Sequence, residues 1–235
     1  MIRNLEWDSH FWGFPVGHLE TSNLSVSSVD SAVLDEYTVV QSLIDLNQPS
    51  FSKLLATSGF FPIDTRIEYQ LKIDGFRDDV GEHRAVRVGH AEDVIDASDA
   101  EVFASELVNS SRFSSFPTTT DHVIRFYATW IMNAQRRVFD DGLMVATIDK
   151  TPVALISYRE REDGFSIGVI AVHPSYQGQG IARKLIYSLI ALAQERKQSV
   201  INVVTEGCNI GAQRFYESTG FRVSTARLWM YRIHE

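Results

Sequence analysis

From Phe165 to Pro174 the chain reads Phe-Ser-Ile-Gly-Val-Ile-Ala-Val-His-Pro, and from Gln177 to Ala182 it reads Gln-Gly-Gln-Gly-Ile-Ala. The first run is short, apolar and rich in β-branched residues, which predicts a buried strand over Phe165–Val172. His173-Pro174 ends it, and the glycines at 178 and 180 predict a turn. A long amphipathic helix then runs from about Gly180 to Arg196, with Ile181, Leu185, Leu189 and Leu192 on one face. A strand, a glycine-bearing turn and a helix start present backbone N–H groups at the positive end of a helix dipole. That arrangement suits the phosphates of a cofactor. A Walker-type loop needs Lys and Ser/Thr after its second glycine, but Ile181-Ala182 follows Gly180. A dinucleotide fingerprint needs a third glycine and a parallel βαβ setting, and neither is met.

Working outward, Leu143 to Ile148 and Val153 to Arg159 predict two further strands. The polar segments Asp149-Lys150-Thr151-Pro152 and Arg161-Glu162-Asp163-Gly164 separate the three strands, which implies an antiparallel meander. Upstream, Arg84 to Val88 reads as a strand and Glu92 to Asn109 as a helix. Ser110 to Thr120 reads as a loop, and Asp121 to Phe139 as a helix capped by Asp121. Downstream come a strand over Val200 to Thr205 and a short helix from Asn209 to Thr219, stopped by Gly220. One or two closing strands span Phe221 to Ile233. Nearer the start, Tyr37 to Leu43 predicts a strand, and Ser50 to Gly59 a helix with a Ser cap and a Gly stop. Thr65 to Ile73 alternates polar and apolar residues, as a half-buried strand does. The polar segment Asp74–Arg84 reads as a linker. The expected class is therefore α/β (α+β), with a small N-terminal α/β domain over residues 1–78 and a larger domain over 84–235. The aromatic cluster Trp7, Phe11, Trp12 and Phe14 is expected to pack on the first.

The chain has 235 residues, 44% hydrophobic and 22% charged, as in an ordinary globular protein. A net charge of -8 argues against a nucleic-acid binder. With the single cysteine Cys208, neither an internal disulfide nor a cysteine-based zinc site is expected. No signal-peptide core opens the chain and no run is long and apolar enough to span a bilayer, so no membrane insertion and a cytoplasmic location are expected.

A second motif is Asn209-x-x-Ala212-x-x-Phe215-Tyr216-Glu217-x-x-Gly220-Phe221. It sets Asn209 and Tyr216 about two turns apart on nearly the same helix face. In this order, strand, Gln-x-x-Gly-x-Ala, helix, strand and Asn…Phe-Tyr-Glu, the C-terminal part resembles the GCN5-related N-acetyltransferase (GNAT) superfamily. The resemblance implies a central mixed, mostly antiparallel sheet flanked by helices, acetyl-CoA as acyl donor and no metal. It implies that acetyl-CoA lies in a V-shaped gap between the Phe165–Val172 and Val200–Thr205 strands. The pyrophosphate would rest on the amides of Gln177, Gly178, Gln179, Gly180, Ile181 and Ala182. The pantetheine would lie along the backbone of Ile170, Ala171 and Val172, with Asn209 hydrogen-bonded to it and Tyr216 near the sulfur as the catalytic acid. Read as residues alone, Gly180 and Ala182 also fit close strand–helix packing, Asn209 a helix cap, and Tyr216 a packing tyrosine.

A narrower resemblance reaches most of the remaining chain. Leu5-Glu6-Trp7-Asp8-Ser9-His10-Phe11-Trp12-Gly13, Ser111-Arg112-Phe113 and Arg125-Phe126-Tyr127-Ala128-x-Trp130-Ile131-x-Asn133-Ala134 are similar to the acetyltransferases of TDP-linked amino-dideoxyhexoses, the TDP-fucosamine acetyltransferase family. That implies a nucleotide-sugar acceptor acetylated on its 4-amino group. The 114–121 loop reads differently from that family and is expected to border the acceptor pocket. Arg112, Asp121 and Arg125 are the candidate substrate contacts, because a nucleotide diphosphate suits an arginine fork. His173, Asp121, His122 and Glu206 are candidate bases by type, and an amine that loses its proton to water needs none. Two alternatives stay open: an acetyltransferase of another small amine or a peptide N-terminus, and a non-catalytic acyl-CoA-binding module. A homodimer through an edge at Arg222–His234 is the remaining expectation for partners.

Overall fold

The computed structural model describes residues 1–21, 31–74, 86–90, 94–162 and 164–234. In chain order the elements are β1 (Ile2–Asn4), α1 (Glu6–Trp12), β2 (Val16–Leu19), α2 (Ser31–Leu34), β3 (Val39–Asp45), α3 (Pro49–Thr57) and β4 (Phe61–Lys72). There follow β5 (Arg87–His90), α4 (Ala97–Val108), α5 (Thr120–Gln135), β6 (Gly142–Ile148), β7 (Thr151–Arg161) and β8 (Gly164–Val172). The chain closes with α6 (Ile181–Glu195), β9 (Val200–Glu206), α7 (Ile210–Ser218) and β10 (Arg222–Ile233). All the strands join one sheet in the order β1-β2-β3-β10-β4-β9-β8-β7-β6-β5. Its pairs are antiparallel except β2–β3 and β8–β9.

Helices cover both faces of the sheet. The apolar stripe of α6, with Ile181, Leu185 and Leu189, packs with Ile156, Phe165 and Ile201, and α7 adds Tyr216. On the opposite face, Phe103 of α4 and Ile131 of α5 pack with Val145, Leu155 and Val169. A Leu or Ile buried this fully contributes roughly 1.5–3 kcal/mol over its exposed state, so these two stripes hold the helices to the sheet. A third cluster is aromatic: Trp12, Phe113, Phe116, Phe126, Trp229 and Tyr231. It ties α1 to α5 and β10.

The meander β6–β7–β8 follows the sequence closely. Its first turn places Asp149 and Lys150 at φ 49° and 69°, which suits a two-residue hairpin loop although neither residue is glycine. The caps differ from expectation. Thr119, not Asp121, caps α5 by accepting from the His122 amide. The helix expected over Glu92–Asn109 begins behind a capping box made by Asp96 and Asp99, and α3 opens on Pro49 rather than on a serine cap. A single strand, β10, closes the chain.

Two larger differences concern assembly. The linker expected over Asp74–Arg84 lies almost wholly outside the described residues, and the sheet runs on across it: β10 pairs with β3 and β4, and β9 pairs with β4. The segments 1–78 and 84–235 therefore share one sheet. A linker read from composition registers local polarity, whereas strand insertion is a long-range event. The aromatic cluster at the start of the chain likewise packs on α5 as well as on its own segment. Because β10 sits between β3 and β4, Arg222–His234 is central and offers no sheet edge for a dimer.

Candidate active site

The strands β8 and β9 pair only at Phe165↔Ile201, Ser166↔Asn202 and Ile167↔Val203. Beyond these pairs they diverge. A bulge drives the divergence: the β7–β8 register shifts between Ile156 and Tyr158, and the Ser157 hydroxyl accepts from the Val169 amide at 2.9 Å. Gly168 is required there, since a Cβ would lie 2.6 Å from both Asp140 Oδ2 and Ser157 Oγ. Further along, the His173 amide donates to the Val153 carbonyl of β7. Strand alternation then turns the Ile170 and Val172 amides the other way, into the gap left by β9. A glycine inside an apolar strand is the sequence signal for this bulge; Asp140 and Ser157 have no local signal.

The gap widens into a cleft of about 540 Å³. Ile170, Ala171 and Val172 line one side, Asn209, Ala212 and Tyr216 the other, and Gln177, Gly178, Gly180, Ile181 and Ala182 the end. Gly178 and Gly180 both adopt positive φ, 71° and 78°. Gly180 caps α6 with no side-chain hydrogen bond, and the first turn of α6 carries no acidic residue. Its leading amides therefore keep their donors and their positive field for an anion. A Cβ at Gly178 would meet no protein atom within 4 Å, so the cradle is open at that point. This donor set fits a diphosphate. The Gln177 side chain does a further job: Nε2 donates to Glu106 Oε2 at 2.5 Å and to the Val172 carbonyl at 3.3 Å. Gln179 instead ties the turn to itself, through the Ser175 carbonyl at 3.3 Å.

Asn209 caps α7, with Oδ1 accepting from the Ala212 amide at 3.0 Å, and Nδ2 donates to Ser110 Oγ at 2.9 Å. It joins the two walls of the cleft, and sequence reasoning missed its partner Ser110. Tyr216 is buried among Tyr69, Phe215 and Phe221. Burial, with a smaller push from Tyr69, raises its phenol well above the ordinary tyrosine range, so it is protonated at neutral pH. It is both a packing residue and a cleft residue.

The remaining candidates scatter. Arg112 stacks on Phe113 and Trp229, with its guanidinium carbon 4.2 and 4.0 Å from their centroids. Its Nη1 donates to Gln41 at 2.6 Å and to the Tyr231 hydroxyl, and its Nε lies 3.8 Å from Glu206 Oε1. Asp121 and Arg125 are exposed on α5 and line a separate groove of about 440 Å³ with Ser98 and Glu101 of the α4 segment. The three residues expected to contact substrate therefore do not form one fork. Spacing along a helix and the loop before it does not reveal that Arg112 turns inward to the sheet. Of the candidate bases, His173 accepts from the Ser175 amide in its turn, and His122 is held by Thr118 and the Phe11 carbonyl. Glu206 is different. Burial raises its pKa to about 7 against the pull of Arg112, and its buried Oε2 has no partner among the described residues. Cys208 is exposed, yet partial loss of solvent around its thiol, with the Asp64 carboxylate beside it, lifts its pKa to about 11, which suits no nucleophile. Among the described residues no cluster of metal-ligating side chains occurs, and no helix is long and apolar enough to cross a membrane.

Residues 104–221, half of the chain, match the acetyltransferase (GNAT) family. Over 98% of this chain and 97% of the other, the sequence is 25% identical to dTDP-fucosamine acetyltransferase of Escherichia coli O6:H1. A shorter stretch, 25% of this chain and 40% of the other, is 40% identical to [ribosomal protein bS18]-alanine N-acetyltransferase of Haemophilus ducreyi. The fold is that of a GCN5-related N-acetyltransferase from Sphaerobacter thermophilus, with a TM-score of 0.59 and 16% identity over 83% of this chain and 59% of that one. With its splayed β8–β9 pair, its open diphosphate cradle and this match, the chain belongs to the GNAT family of N-acetyltransferases.

Proposed function

We propose that this enzyme transfers the acetyl group of acetyl-CoA to the 4-amino group of a TDP-linked amino-dideoxyhexose. The observation that carries the reading is the end-to-end extent of the similarity to dTDP-fucosamine acetyltransferase, which includes the first hundred residues outside the GNAT match. Acetyl-CoA supplies the activated acyl group. The amides around Gly178 and Gly180 hold the diphosphate, and the Ile170 and Val172 amides align the pantetheine, so binding converts the encounter into an oriented one. The Ile170 amide also faces the carbonyl oxygen and stabilises the oxyanion that forms as the amine attacks. Tyr216 then gives its proton to the departing thiolate, and the proton that the new amide nitrogen loses passes to solvent, which returns one to the phenolate.

The test offers acetyl-CoA with TDP-4-amino-4,6-dideoxyhexoses, simple amines and an alanine-terminated peptide, and follows release of CoA thiol. Turnover on the nucleotide sugars and not on the others is the expected result. Turnover confined to the peptide favours the second reading, for which the local match to the bS18-alanine enzyme speaks. Tight binding of CoA without any turnover marks a non-catalytic module. In the same assay Tyr216→Phe lowers kcat by about a hundredfold or more, with acetyl-CoA affinity nearly unchanged. An unaltered kcat removes the acid role from this residue.

A further inference from the structure

A second cavity, of about 340 Å³, opens beside α5 and shares no lining residue with the cleft. Trp7 of α1, Trp130 of α5, Phe113 and Phe139 form its walls, and Asp8 and Arg159 are its charged groups. Trp7 and Phe139 each leave 37% of their surface exposed, their rings meeting edge to face at 5.1 Å. A concave apolar surface with a few convergent polar groups has the make-up of a small-ligand site. Arg159 is already engaged, with Nε 2.5 Å from Asp140 Oδ1 and its guanidinium over the Trp130 ring. Asp8 is not: among the described residues its carboxylate has no hydrogen bond or ion pair with another side chain.

Location gives the cavity its meaning. Trp130 Nε1 donates to Asp140 Oδ2 at 2.9 Å, and that same oxygen abuts Gly168 at the bulge. Gly168 begins the part of β8 that leaves β9, just before Ile170. From the other direction, Phe113 lines the cavity while Ser110, just upstream, lines the cleft. The cavity therefore flanks the point where the two strands part. A primary amine is protonated in water. Aromatic faces attract such a cation, and the Asp8 carboxylate, which has its own backbone amide and the charges of Arg112 and Arg3 near it but no side-chain hydrogen bond among the described residues, accepts its N–H.

We propose that this cavity binds the acceptor: the part of the acceptor that carries the primary amine lies with its apolar side on Trp7 and Phe139 and its nitrogen hydrogen-bonded to Asp8. The proposal rests on the acetyl-transfer reading of the cleft and is independent of which amine is the substrate. Steady-state kinetics are measured with TDP-4-amino-4,6-dideoxygalactose, the free amino sugar and an alanine-terminated peptide. For whichever of these is acetylated, Asp8→Asn and Trp7→Leu each raise the amine's KM about tenfold, equivalent to about 1.4 kcal/mol, and leave the acetyl-CoA KM within about twofold. Circular dichroism confirms that each variant is folded. An unchanged amine KM in a folded variant overturns the proposal. A second readout needs no turnover: each probe is titrated into the CoA-loaded protein while tryptophan emission is followed. A saturable change whose midpoint Asp8→Asn raises about tenfold supports the site even if the sugar is not acetylated. A midpoint that Asp8→Asn leaves in place, or no change with any of the three probes, overturns it.

Discussion

Glu206 stands where β9 has left β8, and opposing forces act on its carboxyl group. Burial raises the pKa, Arg112 lowers it, and Asp64 raises it again, leaving it at about 7 against an ordinary 4.5. The folded protein therefore holds a proton that the unfolded chain releases between these two values. Stability from this group is fully present below about pH 4.5 and is lost as pH rises through about 7. A shift of this size corresponds to roughly 3 kcal/mol at full ionisation. Glu206→Gln keeps the neutral shape and cannot ionise. Its urea midpoint should rise relative to the parent chain at pH 8 and show little of that gain at pH 4. An equal difference at both pH values would mean that the carboxyl group is not desolvated. Arg112 stays in place in the variant, because Gln41 and Tyr231 also hold that guanidinium.

The turn between β8 and α6 tests how much of the cradle is backbone. A Cβ at Gly178 meets no protein atom, yet φ 71° strains any other residue by about 1–2 kcal/mol. Gly178→Val should leave the fold in place with a small loss of Tm. Calorimetry should show acetyl-CoA affinity reduced at least about tenfold, since the added methyls enter the space where phosphate oxygens approach the amides. Undiminished affinity would place the diphosphate elsewhere. This element was legible because strand, turn, glycines and helix are contiguous, as are Asn209 and Tyr216 on α7. The strands and helices of the second half were legible for the same reason, through their periodicity. Caps were less so: Thr118, Thr119, Thr120 and Asp121 are all capping types, and only the backbone path selects Thr119. The surroundings of Arg112 were not legible at all. Gln41, Glu206 and Tyr231 come from three distant strands, and no local pattern records their meeting.

At the scale of the molecule, the last strand is the keystone of the sheet. β10 runs from Arg222 to Ile233 with β3 on one side and β4 on the other, and β4 in turn pairs with β9 from Arg66↔Glu206 to Lys72↔Val200. The N-terminal segment therefore supplies the neighbours of both β9 and β10, and β9 is the strand from which β8 parts at the cleft. Trp229 and Tyr231 of β10 are buried with Trp12, Phe113 and Phe126, which fixes the same dependence in the aromatic cluster. Residues 86–235 expressed alone should expose the edge of β9 and both edges of β10, bind acetyl-CoA weakly, and show no cooperative thermal transition. Residues 1–74 alone lack β10 and should remain unfolded. Co-expression of the two pieces should restore a cooperative transition and the near-ultraviolet signal of the buried aromatic rings, because the strand pairs do not require a covalent link between Lys72 and Arg87. A sharp transition and full acetyl-CoA affinity in 86–235 alone would show that the acetyltransferase half folds without its neighbour, and the shared sheet would then be an attachment rather than a condition of folding.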